Sequence, residues 1–153
     1  MGGGLEIVLA CDLAIADPRA TFALPEVKVG LFAAAGGVQR LVRQIGEKAA
    51  MELILTGRKV DAKEALGLGM INSLSEEGAV MDAARALAQT IAANSPTSVR
   101  ASKRVIAGVD NLNDWDAALA LSEAEIVSLL QTKDAMEGVT AFAQKRKPNW
   151  ING

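Results

Sequence analysis

The sequence contains no histidine and no tyrosine, and its only cysteine is Cys11. Without histidine the commonest general base and metal ligand is missing, so proton transfer must use carboxylates, lysines or water. A single cysteine excludes an internal disulfide and a cysteine-based metal cluster. Because Cys11 lies in an apolar run, we expect a buried structural thiol. The composition therefore predicts a protein without a metal site.

An excess of charge of one sign and long apolar runs are also lacking. The 16 basic and 18 acidic residues are interspersed and give a net charge of −2, which offers no field for nucleic acid or an anionic membrane. No stretch approaches the ~18 uninterrupted apolar residues of a membrane-spanning helix, and no signal peptide is visible. We therefore expect a cytoplasmic protein with neither nucleic acid nor membrane as a partner. A chain of 153 residues suits one domain, or one compact core with an appendage.

The residues most suited to chemistry lie near the start of the sequence. Gly2, Gly3 and Gly4 open an apolar run that contains one charge, Glu6. Three glycines let the backbone approach a ligand closely, and a helix that begins there would aim unpaired N–H groups at it. Burying an isolated charge is costly, so Glu6 is paired, protonated or functional. The structural alternative is a carboxylate that pairs with an arginine or caps backbone N–H groups.

A second carboxylate, Glu26, follows Pro25 and precedes a glycine-bounded loop over residues 30–37. Two carboxylates, each beside a glycine-rich stretch, are the groups that acid–base chemistry next to a developing oxyanion needs. Taken alone, Glu26 is also typical of a solvated loop residue that Lys28 would neutralise. The pair is therefore a hypothesis that depends on the two residues lying close together.

Hydrophobic periodicity predicts short strands and helices in the first part of the chain and only helices in the second. Residues 5–11 are apolar almost all round, which predicts a helix buried on most sides. Short strands are predicted at 12–16, 20–23 and 70–74. Ser95 and Pro96 are typical of a helix cap and a first-turn proline, so we place a boundary near Ser95. We expect Trp115 and Trp150 to be packing residues.

Several motifs resemble the enoyl-CoA hydratase/isomerase (crotonase) family. They are Gly2-Gly3-Gly4 with Leu9-Ala10-Cys11-Asp12-Leu13, the twenty-residue step from Glu6 to Glu26, Gly36-Gly37-Val38-Gln39-Arg40-Leu41, Thr56-Gly57-Arg58, Gly67-Leu68-Gly69, and Phe142 with Lys145-Arg146-Lys147-Pro148. The resemblance covers the whole chain and implies an α/β fold. It implies the C-terminal portion of a crotonase-like (ClpP/crotonase superfold) core over 1–94 and a helical trimerisation region over 95–153.

The resemblance also implies a reaction. The expected activity is that of an enoyl-CoA hydratase, a lyase that adds water across the 2,3 double bond of a trans-2-enoyl-CoA thioester in fatty acid β-oxidation. The N–H of Gly3 would donate to the thioester oxygen, while Glu6 and Glu26 would hold the attacking water and act as acid and base. No cofactor is implied, because coenzyme A is part of the substrate. The implied assembly is a homotrimer or hexamer.

Three further residues are implied to bind substrate. Ala34 takes the place of a family glycine whose N–H lies near the reacting water, and alanine restricts the backbone there. Phe142 and Lys145 match an aromatic residue and a lysine that the family places near the coenzyme A nucleotide, sometimes that of a neighbouring subunit. The simpler interpretation of residues 145–147 is a solvated helix end whose charges favour the helix dipole.

Other functions stay open at this point. Another reaction of the family, such as Δ3-Δ2 isomerisation or carnitinyl-CoA dehydration, is the nearest alternative. Two carboxylates favour a hydro-lyase, because an isomerase can work with one. A different alternative is a non-catalytic remnant that only assembles through its helices.

Overall fold

The computed structural model describes residues 1–109 and 114–152, which form eight α-helices and four strands of two residues each. In chain order the elements are α1 (Gly3–Ala10), β1 (Ile15–Ala16), β2 (Thr21–Phe22), a 3-10 helix (Pro25–Val29), α2 (Gly37–Ile45), α3 (Glu47–Thr56), β3 (Val60–Asp61), α4 (Ala62–Gly67), β4 (Ser73–Leu74), α5 (Val80–Ala92), α6 (Pro96–Val109), α7 (Trp115–Leu130) and α8 (Lys133–Ala143). The chain divides into two compact units, Met1–Arg85 and Ala86–Gly153. This division falls within α5, ahead of Ser95. None of the helices in the described ranges is both long and apolar enough to cross a membrane.

Short strand pairs tie together distant parts of the first unit. β1 runs parallel to β4, with Ile15 opposite Ser73, and β2 runs antiparallel to β3, with Phe22 opposite Val60. Strands were predicted at the places of β1, β2 and β4, although β4 is shorter than the predicted 70–74, and β3 was not predicted. Met70, just before β4, is 4% exposed and belongs to the apolar core instead. That core holds the large buried side chains of the unit: Leu5, Leu9, Phe22, Leu24, Leu41, Leu53, Val60, Met70 and Ile71.

The first helix packs on one side only. Leu5 and Leu9, which are one turn apart, are 2% and 3% exposed, whereas Ile7 between them is 69% exposed. The expectation of a helix buried on most sides is therefore wrong, because in this chain α1 meets the core through a single stripe. Cys11 is exposed as well, so the predicted buried thiol is wrong. It follows the last residue of α1, and its S–H donates to the Ile7 carbonyl at 3.3 Å.

The second unit consists of helices with well-defined starts. Ser95 Oγ accepts the Ser98 N–H at 3.3 Å and Pro96 opens α6, as predicted for this pair. Trp150 packs its ring against Gly138 and donates from Nε1 to the Ala93 carbonyl at 2.9 Å, which confirms it as a packing residue. Trp115, the first residue of α7, is 73% exposed. The packing role predicted for Trp115 is wrong, because the ring lies at a helix end that nothing in the described part of the unit covers.

Candidate active site

A glycine turn opens α1 and leaves one backbone donor free. The N–H of Gly2 donates to the Ala23 carbonyl at 2.8 Å, and the Gly2 carbonyl accepts the N–H groups of Leu5 and Glu6 at 2.8 and 3.1 Å. Gly2 has a φ of 55°, which favours glycine. The next N–H, that of Gly3, has no acceptor among the described residues. It stands at the positive end of the helix, which is suited to an oxygen that gains negative charge.

Glu6 lies on the first turn of α1 and is held by the first residue of α2. Its Oε1 accepts the N–H of Gly37 at 3.0 Å, and the residue is 8% exposed. A Cβ atom at Gly37 would lie 2.9 Å from both Cγ and Oε1 of Glu6, so only glycine lets α2 start this close to the carboxylate. Among the described residues Glu6 makes no ion pair with an arginine, but its carboxylate does accept an anchoring bond from a backbone N–H. Glu6 is therefore a buried carboxylate in a fixed position.

Glu26 reaches the same glycine turn from the 3-10 helix. It lies in the first turn of that helix and is half-buried, which removes the fully solvated alternative. Its Oε2 is buried and has no hydrogen-bond partner among the described residues. Its Oε1 would lie 3.1 Å from a Cβ atom at Gly2. A buried carboxylate oxygen without a partner is costly, and it is a natural place for a ligand or water hydrogen bond.

The two carboxylates border adjacent residues of one turn. Glu26 Oε1 lies against Gly2, and Glu6 Oε2 would be 4.0 Å from a Cβ atom at Gly3. The free Gly3 N–H lies in the same turn. The fold thus brings together the three groups that the sequence singled out, a backbone donor and two carboxylates. Such a set can bind an oxygen atom, polarise it and move protons beside it.

The loop before α2 completes this region. Ala33 is 2% exposed, whereas Ala34 is exposed and its N–H has no acceptor among the described residues. The guanidinium of Arg40 donates to the Ala35 carbonyl at 3.0 Å and folds over Gly36. Sequence reasoning missed the anchoring donor Gly37 and this arginine. The Gly-Gly pair directly before an amphipathic helix was the signal that could have pointed to Gly37.

The second unit carries the predicted nucleotide contacts at the end of α8. Phe142 is 87% exposed, and Lys145 is exposed and has no ion-pair partner among the described residues. The Lys145 N–H donates to the Phe142 carbonyl at 3.1 Å, so both residues belong to one helix end. The sequence predicts that Pro148 stops this helix, but the helix ends earlier, where Lys145 has a φ of 53°. The structure therefore leaves both side chains available to a ligand.

The basic stretch after α8 is exposed, and Arg146 within it is ion-paired. Arg146 makes a two-pronged ion pair with Glu137, at 2.6 Å from Nη1 to Oε1 and 2.9 Å from Nη2 to Oε2. Glu137 Oε1 also accepts the Asn149 N–H at 2.7 Å. The hydrogen bonds from Arg146 lower the pKa of Glu137 to about 2, and the hydrogen bond from the Asn149 N–H is the second cause. The interpretation of residues 145–147 as a solvated helix end agrees with their exposure, and Arg146 in addition pairs with Glu137.

Two further features of the described residues bear on ligands. No group of three or more histidine, cysteine or acidic side chains within them could hold a metal ion. An open apolar cleft of about 430 Å³ lies in the first unit beside Val8, Cys11, Leu13 and Phe22. The cleft explains why Cys11 is exposed, since the helix end faces this opening rather than the core.

A family sequence model described as enoyl-CoA hydratase/isomerase matches residues 1–153. The chain belongs to this family. A short-chain-enoyl-CoA hydratase from Clostridium acetobutylicum is 38% identical over 148 residues, which are 96% of this chain and 56% of the relative. A carnitinyl-CoA dehydratase from Citrobacter koseri is 36% identical over 152 residues, which are 97% of this chain and 58% of the relative.

Solved structures of the family confirm the predicted fold. The enoyl-CoA hydratase of Mycobacterium marinum superposes with a TM-score of 0.95 at 43% identity, over 99% of this chain and 60% of that one. The expected α/β crotonase-like partial core with a helical region after it is therefore correct. The chain spans only about half to three fifths of the length of the family members it matches, from 49% to 63%. Its assignment as the C-terminal part, and the division at residues 94 and 95, stay predictions.

Proposed function

We propose that this chain carries the acid–base part of an enoyl-CoA hydratase site. The protein would add water across the 2,3 double bond of a trans-2-enoyl-CoA thioester, in fatty acid β-oxidation. The observation that carries this proposal is the meeting of Glu6, Glu26 and the free Gly3 N–H at one glycine turn. A family relative named for enoyl-CoA hydration supports the choice of reaction.

Each group has a distinct part in the addition. The Gly3 N–H would donate to the thioester oxygen and stabilise the negative charge that builds up on it, which is worth about 3–4 kcal/mol for one such donor. Glu6 and Glu26 would bind the water between them. One carboxylate would take a proton from this water as the water oxygen bonds to C3. The other glutamate, in its protonated form, would deliver a proton to C2. The overall addition changes no oxidation balance, so we propose that it needs no metal or redox cofactor.

The remaining contacts would hold the thioester in place. We propose that the exposed N–H of Ala34 faces the water, and that Phe142 and Lys145 meet the coenzyme A nucleotide. The exposed ring and the unpaired ammonium group of this helix end support that role. We also propose that the protein is a homotrimer or hexamer in the cytoplasm, with coenzyme A thioesters and no nucleic acid or membrane as partners.

Carnitinyl-CoA dehydration is the second candidate. A relative of that name matches nearly the whole of this chain, and Ala34 departs from the usual family glycine at a position beside the proposed water. Isomerisation is less well supported, because both carboxylates are present at the turn. Rates measured with crotonyl-CoA and with carnitinyl-CoA would separate the two main candidates.

Amide substitutions of the carboxylates test the proposal. In the full-length protein, Glu6→Gln and Glu26→Gln should each lower the hydration rate of crotonyl-CoA by at least about 10²-fold, the scale of a lost acid–base group. The amide oxygen introduced by Glu6→Gln could still accept the Gly37 N–H, so the change removes charge more than shape. The exposed Glu47 on α3 supplies a matched control, Glu47→Gln. Near-normal hydration by either site variant would contradict the two-carboxylate mechanism.

A further inference from the structure

The end of α8 holds Lys145 in a conformation that suits glycine better. Lys145 has a φ of 53°, in the left-handed region. Its N–H donates to the Phe142 carbonyl at 3.1 Å, and the Arg146 N–H donates to the Ala141 carbonyl at 3.0 Å. This pair of bonds is the common helix-ending motif whose left-handed position usually carries glycine. A lysine there carries a conformational cost that glycine would avoid.

The residues that follow Lys145 are fastened to one face of α8. Glu137 binds the Arg146 guanidinium with both oxygens and also accepts the Asn149 N–H. One turn earlier, Asp134 accepts the N–H groups of Ile151 and Asn152 at 2.8 and 3.2 Å. Positions three apart in a helix lie on the same face, so these two carboxylates hold the tail folded back along α8.

The same arrangement leaves Phe142 and Lys145 away from the tail. Phe142 is 87% exposed, whereas Asp134 under the tail is 1% exposed. The charge of Arg146 is paired with Glu137, so it is not free for a ligand. Lys145, one residue earlier, has no such partner among the described residues. At this helix end Arg146 therefore has a structural role, and Lys145 is the cation available to a ligand.

We propose that Glu137 is a positioning residue for Lys145. By fixing Arg146 and Asn149, it holds the turn in which Lys145 stands at positive φ, so that the ammonium group is presented beside the exposed ring of Phe142. The ligand of this pair is the phosphorylated nucleotide of a coenzyme A thioester. This inference rests on the function proposed above, in which Lys145 meets that nucleotide.

The experiment compares substitutions in the full-length protein. Lys145→Ala should weaken the binding of coenzyme A and raise KM for crotonyl-CoA about five-fold, the scale of one exposed ion pair. Glu137→Gln should raise the dissociation constant for coenzyme A and KM for crotonyl-CoA about two- to three-fold, because part of that ion pair is lost when the turn relaxes. The value of kcat should stay near normal. In the Lys145→Ala background, Glu137→Gln should have no further effect. Crotonyl-pantetheine lacks the nucleotide, so its KM should not change. The ratio of KM for crotonyl-CoA to KM for crotonyl-pantetheine should therefore rise by the same factors in these variants.

A matched control separates positioning from stability. Glu125 makes a second two-pronged ion pair among the described residues of this unit, with Arg104 at 2.8 and 2.7 Å, and its side chain is 19% exposed against 21% for Glu137. Glu125→Gln should lower the melting temperature to a similar extent without changing the KM ratio. If Glu137→Gln does not fold, Arg146→Gln tests the same clamp from its other side.

The outcomes distinguish the two proposals. If Lys145→Ala leaves coenzyme A binding unchanged, the nucleotide contact is wrong and the positioning role falls with it. If Lys145→Ala weakens binding but Glu137→Gln does not, or if Glu125→Gln acts equally, only the positioning role is overturned. Additive effects of Lys145→Ala and Glu137→Gln would also overturn it, because a residue that acts through Lys145 cannot act in its absence.

Discussion

At the scale of single residues, the site depends on a position that has no side chain. Gly37 brings its N–H to within 3.0 Å of Glu6 Oε1. A Cβ atom there would lie 2.8 Å from Ala33 Cβ and 2.9 Å from Glu6 Cγ, closer than packed carbon atoms tolerate. The carboxylate, the loop before α2 and the start of α2 therefore meet at one point. A change at Gly37 should disturb all three together.

We expect Gly37→Ala to lower both stability and turnover. Overpacking of this kind costs about 1–3 kcal/mol. Displacing Glu6 by a fraction of an ångström should also lower crotonyl-CoA hydration by at least about ten-fold, since a misplacement of 1 Å can cost about 10²-fold. Urea unfolding and the absorbance of the enoyl thioester measure the two effects.

Gly67→Ala is the matched control for this substitution. Gly67 also lies in a helix, but nothing is within 4 Å of the place where its Cβ would be. This change should leave activity unaltered and stability equal or higher by up to about 1 kcal/mol, from helix propensity. Equal behaviour of the two variants would show that the close approach at Gly37 does not matter.

At the scale of elements, starts and stops of helices were more predictable than their burial. A helix start can be predicted where one residue caps it by a local hydrogen bond, as Ser95 does for α6. Asp61 likewise accepts the Glu64 N–H at 2.8 Å at the start of α4. Asp61 followed three residues on by Glu64 resembles a capping box, but Glu64 does not complete it, because its carboxylate binds Arg58 at 2.6 Å. Such competition comes from tertiary contacts that a local pattern does not contain.

The predictions of burial were wrong for the same physical reason. The apolar pattern of α1 does not say which face the core covers, so the exposure of Ile7 and Cys11 could not be predicted from it. The pairing of Glu6 with Glu26 came from the family resemblance rather than from periodicity. Their placement at one turn depends on the backbone contact of Gly37, which the sequence marked only as part of a motif, and on the 3-10 helix, which was not predicted.

The left-handed turn after α8 gives a prediction about stability. Lys145→Gly removes the contact between Cβ and backbone at a φ of 53°. It should therefore raise the free energy of unfolding by up to about 1 kcal/mol, the lower part of the cost of that conformation for a side chain. The melting temperature should rise by about 2–4 °C for that amount in a chain of this size. An unchanged or lower melting temperature would contradict strain at this position, and Lys147→Gly is the control for lost charge.

The ion pair of Glu137 gives a prediction about acid. Its pKa is lowered from the ordinary 4.5 to about 2, chiefly by Arg146. A carboxyl group with a lowered pKa in the folded state stabilises the fold above its ordinary pKa and loses this contribution as pH falls. The free energy of unfolding should therefore drop between pH 4.5 and about 2, and less steeply in Glu137→Gln. Glu123→Gln, at an exposed position of α7, should keep the slope of the unsubstituted protein.

At the scale of the whole molecule, apolar surface stays uncovered on the helices of the second unit. On α7, Ile126 and Leu130 are 48% and 62% exposed and lie one turn apart. Met136 and Val139 on α8 are 65% and 68% exposed. Exposed apolar patches of this kind mark contacts with other chains. They agree with the proposed homo-oligomer, in which these helices form the contacts.

We expect the polypeptide of residues 1–153 to self-associate through these helices. Sedimentation at several concentrations should show species larger than a monomer. Ile126→Lys together with Leu130→Lys should shift the distribution towards the monomer, because two charges would have to be buried in the contact. Gln131→Lys, at an exposed polar position nearby, is the control for added charge. Helix content measured by circular dichroism should stay the same in all three proteins, and a monomer at every concentration in the unsubstituted chain would show that the exposed stripe is not an interface.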